Sequence, residues 1–391
     1  MSRFVYADNA ATTKLSSVAL EAMLPWLEVG YGNPSSVYRI GRDARRALDG
    51  SRDQVAQAIG AKSEEIVFTG SGTESNNWAL RGICERLQDK GKHIITTMIE
   101  HHAIGHTIED LEKQGFEVTV LPVDKHGMVS PHVVRAAIRP DTILITIMFA
   151  NNEIGTIQPI AAIGDIARAQ GVLFHTDAVQ AVGHIPIDVA QLKIDLLSLS
   201  AHKFRGPKGV GALYVRKGVT LPPFITGGGQ EKGRRAGTEN VPGIIGMAAA
   251  LKDAVQNMEQ NLLYVTELRD KLIAGMLQIP AVRLTGHPEI RLPGNASFSI
   301  ACIEGEALIL MLDAAGIAAS SGSACSSGSL DPSHVLLSIG LSHESAHGSV
   351  RLSLGEETTE ADVDYILEQM FPITEKLRAM SPLWEEQAVQ T

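Results

Sequence analysis

The sequence predicts an α/β protein: a mostly parallel sheet covered by helices on both faces, followed by a smaller α+β unit. Three observations predict it. Short apolar runs alternate with helix-patterned stretches through the middle of the chain, the order that βαβ units produce. A Gly/Pro-rich segment, 221–243, then ends the alternation. The 391 residues suffice for one large domain and a smaller partner with a sizeable core.

Taken in order, strands are expected at 66–68, 93–96, 117–121, 142–147, 172–175 and 196–199. Most are continuous runs of Ile, Leu, Val and Phe, as in strands buried on both faces. Helical spacing fills 78–87, 104–114 and 163–170. The run 210–215 reads as a further strand, the antiparallel member of a mixed sheet. Beyond 243 the spacing predicts one long helix over 244–277, strands at 282–284 and 296–299, and helices at 306–315 and 360–377. The tail 385–391 is expected to fray.

The formal net charge of −10 argues against nucleic acid or an anionic membrane as the main partner. Three cysteines, Cys84, Cys302 and Cys325, supply neither a disulfide framework nor a CxxC metal site, which fits a reducing cytoplasm. Residues 1–8 hold no apolar signal core, and no apolar run approaches the roughly 20 residues that a bilayer span needs. A cytoplasmic location is the expectation.

The chemistry concentrates in Ser200-Ala201-His202-Lys203, which follows the apolar strand at 196–199. Lysine is rarely buried unless paired or chemically used, and a partly desolvated lysine can form a Schiff base with an aldehyde. Upstream, Phe174-His175-Thr176-Asp177 ends a strand on a carboxylate. A pyridine cofactor needs such a carboxylate against its ring nitrogen; a helix N-cap is the other use of Asp177. Thr69-Gly70-Ser71-Gly72-Thr73-Glu74 lies between a strand and an amphipathic stretch, where backbone N–H groups and hydroxyls could cradle a phosphate. It lacks the Gly-Lys-Ser/Thr ending of a P-loop, and an ordinary capped turn has the same composition. His102 and His106 stand at i, i+4 with no acidic or thiol partner to complete a metal set, so no metal is expected. Cys325 sits in a Ser/Gly/Ala run that reads as a mobile loop, whereas Cys84 and Cys302 have the apolar neighbours of packing residues.

With these residues stand Tyr6-Ala7-Asp8-Asn9-Ala10-Ala11-Thr12-Thr13, Gly32-Asn33-Pro34-Ser35-Ser36, Glu100-His101-His102-Ala103 and Asn151-Asn152-Glu153-Ile154-Gly155. Further on come Arg234-Arg235-Ala236-Gly237-Thr238-Glu239-Asn240, Ser323-Ala324-Cys325-Ser326-Ser327-Gly328 and Gly348-Ser349-Val350-Arg351-Leu352-Ser353. In this order they make the chain resemble the cysteine desulfurases, NifS/IscS-like pyridoxal phosphate enzymes of the aminotransferase class V group. The resemblance covers nearly the whole chain and leans to the nitrogen-fixation branch on 175–183 and 227–240.

The resemblance implies a type I pyridoxal-phosphate transferase fold with a mixed seven-stranded sheet. It implies a large cofactor-binding domain, 16–257, and a small domain of 1–15 and 258–391 that carries the Cys325 loop. Lys203 would hold pyridoxal 5′-phosphate and move the substrate α-proton. Asp177 would face the ring nitrogen, Gln180 the ring oxygen, and His101 the ring face. Thr73, Ser200 and His202 would hold the phosphate, and Thr238 would reach the phosphate of a neighbouring subunit in a homodimer. Asn152 would lie near the ring hydroxyl or the substrate carboxylate, and Arg351 would bind that carboxylate. Asn33 would border the substrate, though a turn-forming asparagine fits equally. Cys325 would take sulfur from L-cysteine as a persulfide, leave L-alanine, and pass the sulfur to an iron–sulfur scaffold protein, in nitrogenase maturation on the favoured branch. A selenocysteine lyase or another class V aminotransferase is the alternative, the latter having no need of Cys325. A non-catalytic sulfur carrier would leave Lys203 and Asp177 unexplained, and a nucleotide-binding module would rest on 70–73 alone.

Overall fold

The protein is described by a computed structural model that covers residues 3–321 and 332–384. A short strand β1 (Val5–Tyr6) opens it. Seven further strands follow: β2 (Ile66–Thr69), β3 (His93–Thr97), β4 (Glu117–Leu121), β5 (Thr142–Thr146), β6 (Leu173–Asp177), β7 (Leu196–Ser200) and β8 (Gly211–Val215). They form one sheet in the order β2-β8-β7-β6-β5-β3-β4. The mixed sheet that the sequence predicts is therefore present, and β8 is its antiparallel member, paired with β7 and β2.

Side chains of a strand alternate between faces, and here the alternation feeds two cores. Ile66 and Phe68 of β2, Ile145 of β5, and Leu197 and Leu199 of β7 pack with the helices Arg39–Ala58, Ile160–Gln170 and Val241–Gln256. Val67, Ile94, Leu144 and Leu196 pack on the other side with the helices Gly72–Leu87 and His102–Lys113. Both faces are dry, which is why these strands read as continuous apolar runs.

After the sheet, the single helix expected over 244–277 is two helices, Val241–Gln256 and Met258–Met276. They break at Asn257, whose side-chain amide donates to Asp253 O and Oδ1, both at 3.0 Å. Asparagine competes in this way with the helical backbone. A third core follows, built on β9 (Val282–Leu284), β10 (Asn295–Ile300), β11 (Ile317–Ala318) and β12 (Ser349–Ser353). β9, β10 and β12 form an antiparallel sheet in the order β12-β10-β9, and β11 pairs in parallel with β1. Val5 and Ala7 lie in this core, so the N-terminal segment packs far from its neighbours in sequence.

The topology sets one edge of the large sheet apart. β3, β5, β6 and β7 run parallel, and β2 points the same way because β8 is antiparallel to both its neighbours. The loops leaving β2, β3, β5, β6 and β7 therefore converge at their carboxyl ends, where open α/β sheets bind ligands. No helix among the described residues is long and apolar enough to cross a membrane.

Candidate active site

A cavity of about 280 Å³ lies at that edge. Thr73, His101, Asn152, Asp177, Gln180, Ser200, His202, Lys203 and Arg351 all line it. Residues spread over nearly 280 positions of sequence thus meet because each ends or follows a strand or, for Arg351, lies within β12 of the small sheet.

Lys203 closes a short 3₁₀ turn, Ala201–Lys203, directly after β7. Its Nζ donates to the carbonyls of Ala10 at 2.6 Å and Ala11 at 2.8 Å. Gln180 Nε2 also donates to Ala10 O, at 2.9 Å. Asp177 ends β6 and is 6% exposed. One of its oxygens accepts from Asn76 Nδ2 at 2.6 Å, and the other from Val179 N at 3.0 Å. Asn76 received no role from the sequence. The signal lay in its spacing: it stands one helical turn after Gly72 and so on the same face.

The helix Gly72–Leu87 points its N-terminus at the cavity. A helix leaves its first N–H groups without intrahelical acceptors. Ser71 Oγ accepts from Glu74 N and Ser71 O from Ser75 N, while Gly72 and Thr73 line the cavity. A Cβ on Gly72 would stand 2.6 Å from Val179 Cγ2, so glycine permits the helix end to approach the loop after Asp177.

His101 caps the helix His102–Lys113, its Nδ1 accepting from Ala103 N at 3.0 Å. The neutral ring therefore carries its proton on Nε2. Burial depresses its pKa; Asp177 opposes this, and Lys203 and the neighbouring His102 and His106 reinforce it. His102 stacks on His106 with centroids 5.1 Å apart and meets His334 at the same distance. Among the described residues no three His, Cys, Asp or Glu side chains are placed to hold a metal. His202 bonds Thr12 Oγ1 through Nδ1, and burial followed by the charges of Lys203 and Lys208 lowers it to about 4, so the ring is neutral at pH 7.

Arg351 is 2% exposed. Its Nη1 donates to Asn152 O at 3.0 Å and its Nη2 to Asp8 Oδ1 at 2.8 Å. Two residues named from the sequence do not line the cavity. Asn33 is exposed, and its Oδ1 accepts from Ser35 N at 2.9 Å, a local turn. Thr238 is exposed and lies after Gly237, whose φ is +105°. Cys325 lies outside the described residues. Cys84 and Cys302 are buried, and burial lifts the Cys84 thiol to about 12 and raises that of Cys302.

The residues fit a phosphorylated pyridine aldehyde. Two N–H groups at a helix end offer an anion site, a carboxylate and a lysine stand on adjacent strand ends, and Asn76 Oδ1 is buried with no partner among the described residues. Fold and site together define a type I pyridoxal-phosphate enzyme. The chain belongs to the aminotransferase class-V family, whose model matches residues 5–366. It is 58% identical over 379 residues to the cysteine desulfurase IscS of Methanosarcina thermophila, covering 97% of this chain and 94% of that protein. It is 53% identical to the cysteine desulfurase IscS of Clostridium botulinum, covering 99% and 98%. A solved NifS-like protein superposes with a TM-score of 0.90 at 40% identity, covering 96% of this chain and 99% of that one.

Proposed function

We propose that the chain is a cysteine desulfurase that takes sulfur from L-cysteine, leaves L-alanine, and supplies the sulfur for iron–sulfur cluster assembly. The observation that carries this is the meeting of Lys203, Asp177, His101 and Arg351 around one cavity, in a chain so similar to proteins named cysteine desulfurase.

Lys203 would hold pyridoxal 5′-phosphate, which would supply an electron sink at the substrate α-carbon. Asp177, fixed by Asn76 and Val179, would present its carboxylate to the ring nitrogen. Gln180 would face the ring oxygen, and Thr73, Ser200 and His202 would hold the phosphate with the helix end. His101 would cover the ring and, with Nδ1 accepting from Ala103 N, offer a proton from Nε2. Lys203 Nζ moves the α-proton. Arg351 takes the substrate carboxylate beside Asn152. The Cys325 thiolate attacks the substrate sulfur: an S–S bond forms, the Cβ–S bond breaks, and the electron pair left on carbon is protonated to give alanine.

Residues 16–257 act as the large domain, and 1–15 with 258–391 as the small one. Thr238 serves the phosphate of a second subunit in a cytoplasmic homodimer, and an iron–sulfur scaffold protein accepts the sulfur. Nitrogenase maturation is the destination favoured by the segments 175–183 and 227–240, and deletion of the gene should then impair growth on dinitrogen more than growth on ammonium.

The testing experiment measures alanine and sulfide from L-cysteine with a thiol reductant. Equal yields from the native chain, lost in Cys325→Ser, support the proposal. No alanine from cofactor-loaded native protein overturns it.

A further inference from the structure

Arg351 is nearly sealed from solvent, yet its donors are unequally used. Nη1 holds Asn152 O and Nη2 holds Asp8 Oδ1, while Nε is buried with no partner among the described residues. An unmatched N–H on a buried guanidinium is costly and marks a place for a ligand oxygen. Nε and Nη2 form one edge of the guanidinium, the edge that grips a carboxylate with two parallel bonds. The donor left open and the donor given to Asp8 are therefore the two prongs of a single fork.

We infer that Asp8 is a positioning residue for substrate recognition: it aims the Arg351 fork in the empty site and tempers its hold on a carboxylate, so that product alanine is released. The inference rests on the reading of Arg351 as the substrate-carboxylate fork. Asp8 does so from outside the cavity lining. With a substrate bound, two carboxylates share one guanidinium, and like charges disfavour one another. The same segment also reaches Lys203, through the carbonyls of Ala10 and Ala11. One N-terminal loop thus fixes the lysine and the arginine together.

The backbone of Asp8 does not depend on its carboxylate. It bridges Ser353, and its carbonyl accepts from Ala11 N at 3.0 Å and from Tyr6 Oη at 3.2 Å. Asp8→Asn therefore keeps an acceptor for Nη2 and removes only the charge.

The test uses the cofactor-loaded enzyme and two competitive inhibitors, L-alanine and L-alaninamide, which differ in the charge of the group at the fork. In Asp8→Asn the inhibition constant for L-alanine should fall about two- to fivefold, the upper part of the range expected of one screened charge pair. That for L-alaninamide should stay put, and the KM for L-cysteine should fall with the alanine constant while kcat does not rise. A general loosening of the site would move both inhibitors alike. An unchanged alanine-to-alaninamide ratio overturns the inference. If Asp8→Asn does not fold, Asp8→Ser, which also keeps an acceptor, carries the same ratio. Arg351→Gln separates the two levels: it should abolish the preference for alanine. If that preference persists, the reading of Arg351 falls; if it vanishes while Asp8→Asn leaves the ratio alone, only the role of Asp8 falls.

Discussion

Burial quiets Cys84 and Cys302. A thiol held at about 12, as in Cys84, has almost no thiolate at neutral pH and is a poor nucleophile. Cys84→Ala should keep full turnover and lose roughly 1–2 kcal/mol of stability by leaving a small void in the core; desulfuration rate and denaturant midpoint check it. At the other extreme, Lys203→Ala should abolish turnover and the visible absorption of bound cofactor, which a spectrum after reconstitution reads. Asp177→Asn should keep the bond from Asn76 or Val179 but lose the charge, so cofactor would still load while α-proton exchange with deuterated solvent slows at least tenfold.

Elements carry these residues to their places. The helix Gly72–Leu87 brings its open N–H groups to the cavity only because position 72 has no Cβ. Gly72→Ala should displace either the helix end or the loop at Val179, costing about 1–3 kcal/mol and raising the dissociation constant of the cofactor. Thermal unfolding and equilibrium dialysis check the two parts. The helices Ser17–Glu28 and Arg39–Ala58 are not legible in the sequence, for a physical reason. The first contains Pro25 and buries only Ala19. The second is rich in Arg and Asp and buries a narrow stripe of Gly41, Ala44, Leu48, Ser51, Arg52, Val55 and Ala56. The stripe keeps a helical period, but only Leu48 and Val55 in it are large and apolar, so it carries little apolar mass. Arg52 enters that stripe because Glu231 pairs with it in two bonds, at 2.6 and 2.7 Å.

Across the whole molecule, buried titratable groups make stability depend on pH in two opposed ways. Burial, countered by bonds from Thr97 and Met148, raises Glu100 from 4.5 to about 8; burial likewise raises Glu153 to about 7. Their contribution is complete below 4.5 and is lost as pH rises through 7 and 8. Burial lowers His175 from 6.5 to about 3 and His202 to about 4. Their contribution is complete above 6.5 and is lost as pH falls through 4 and 3. Between 4.5 and 6.5 the two sets offset one another, and above 6.5 the carboxyls act alone. The melting temperature should therefore fall from pH 6.5 to 8, and Glu100→Gln should flatten that fall by at most roughly 1.4 kcal/mol per pH unit. An unchanged slope in the variant would assign the effect to other groups.

The sequence by itself determined the inner strands of the large sheet, because strands buried on both faces must be apolar throughout and so announce themselves locally. It also determined which residue types could bear the chemistry, since Lys203 and Asp177 at strand ends are poorly explained by packing. Only the tertiary structure decided what those residues touch. Asn76 beneath Asp177, the Ala10 and Ala11 carbonyls on Lys203, and Asp8 on Arg351 are pairings across 101, 193, 192 and 343 positions. No local period encodes a contact of that reach; it exists because β1 pairs with β11 and β12 meets Asp8, folding the N-terminus onto the small sheet. The break at Asn257 was hidden likewise, because apolar spacing continues across a side chain that turns back on its own backbone.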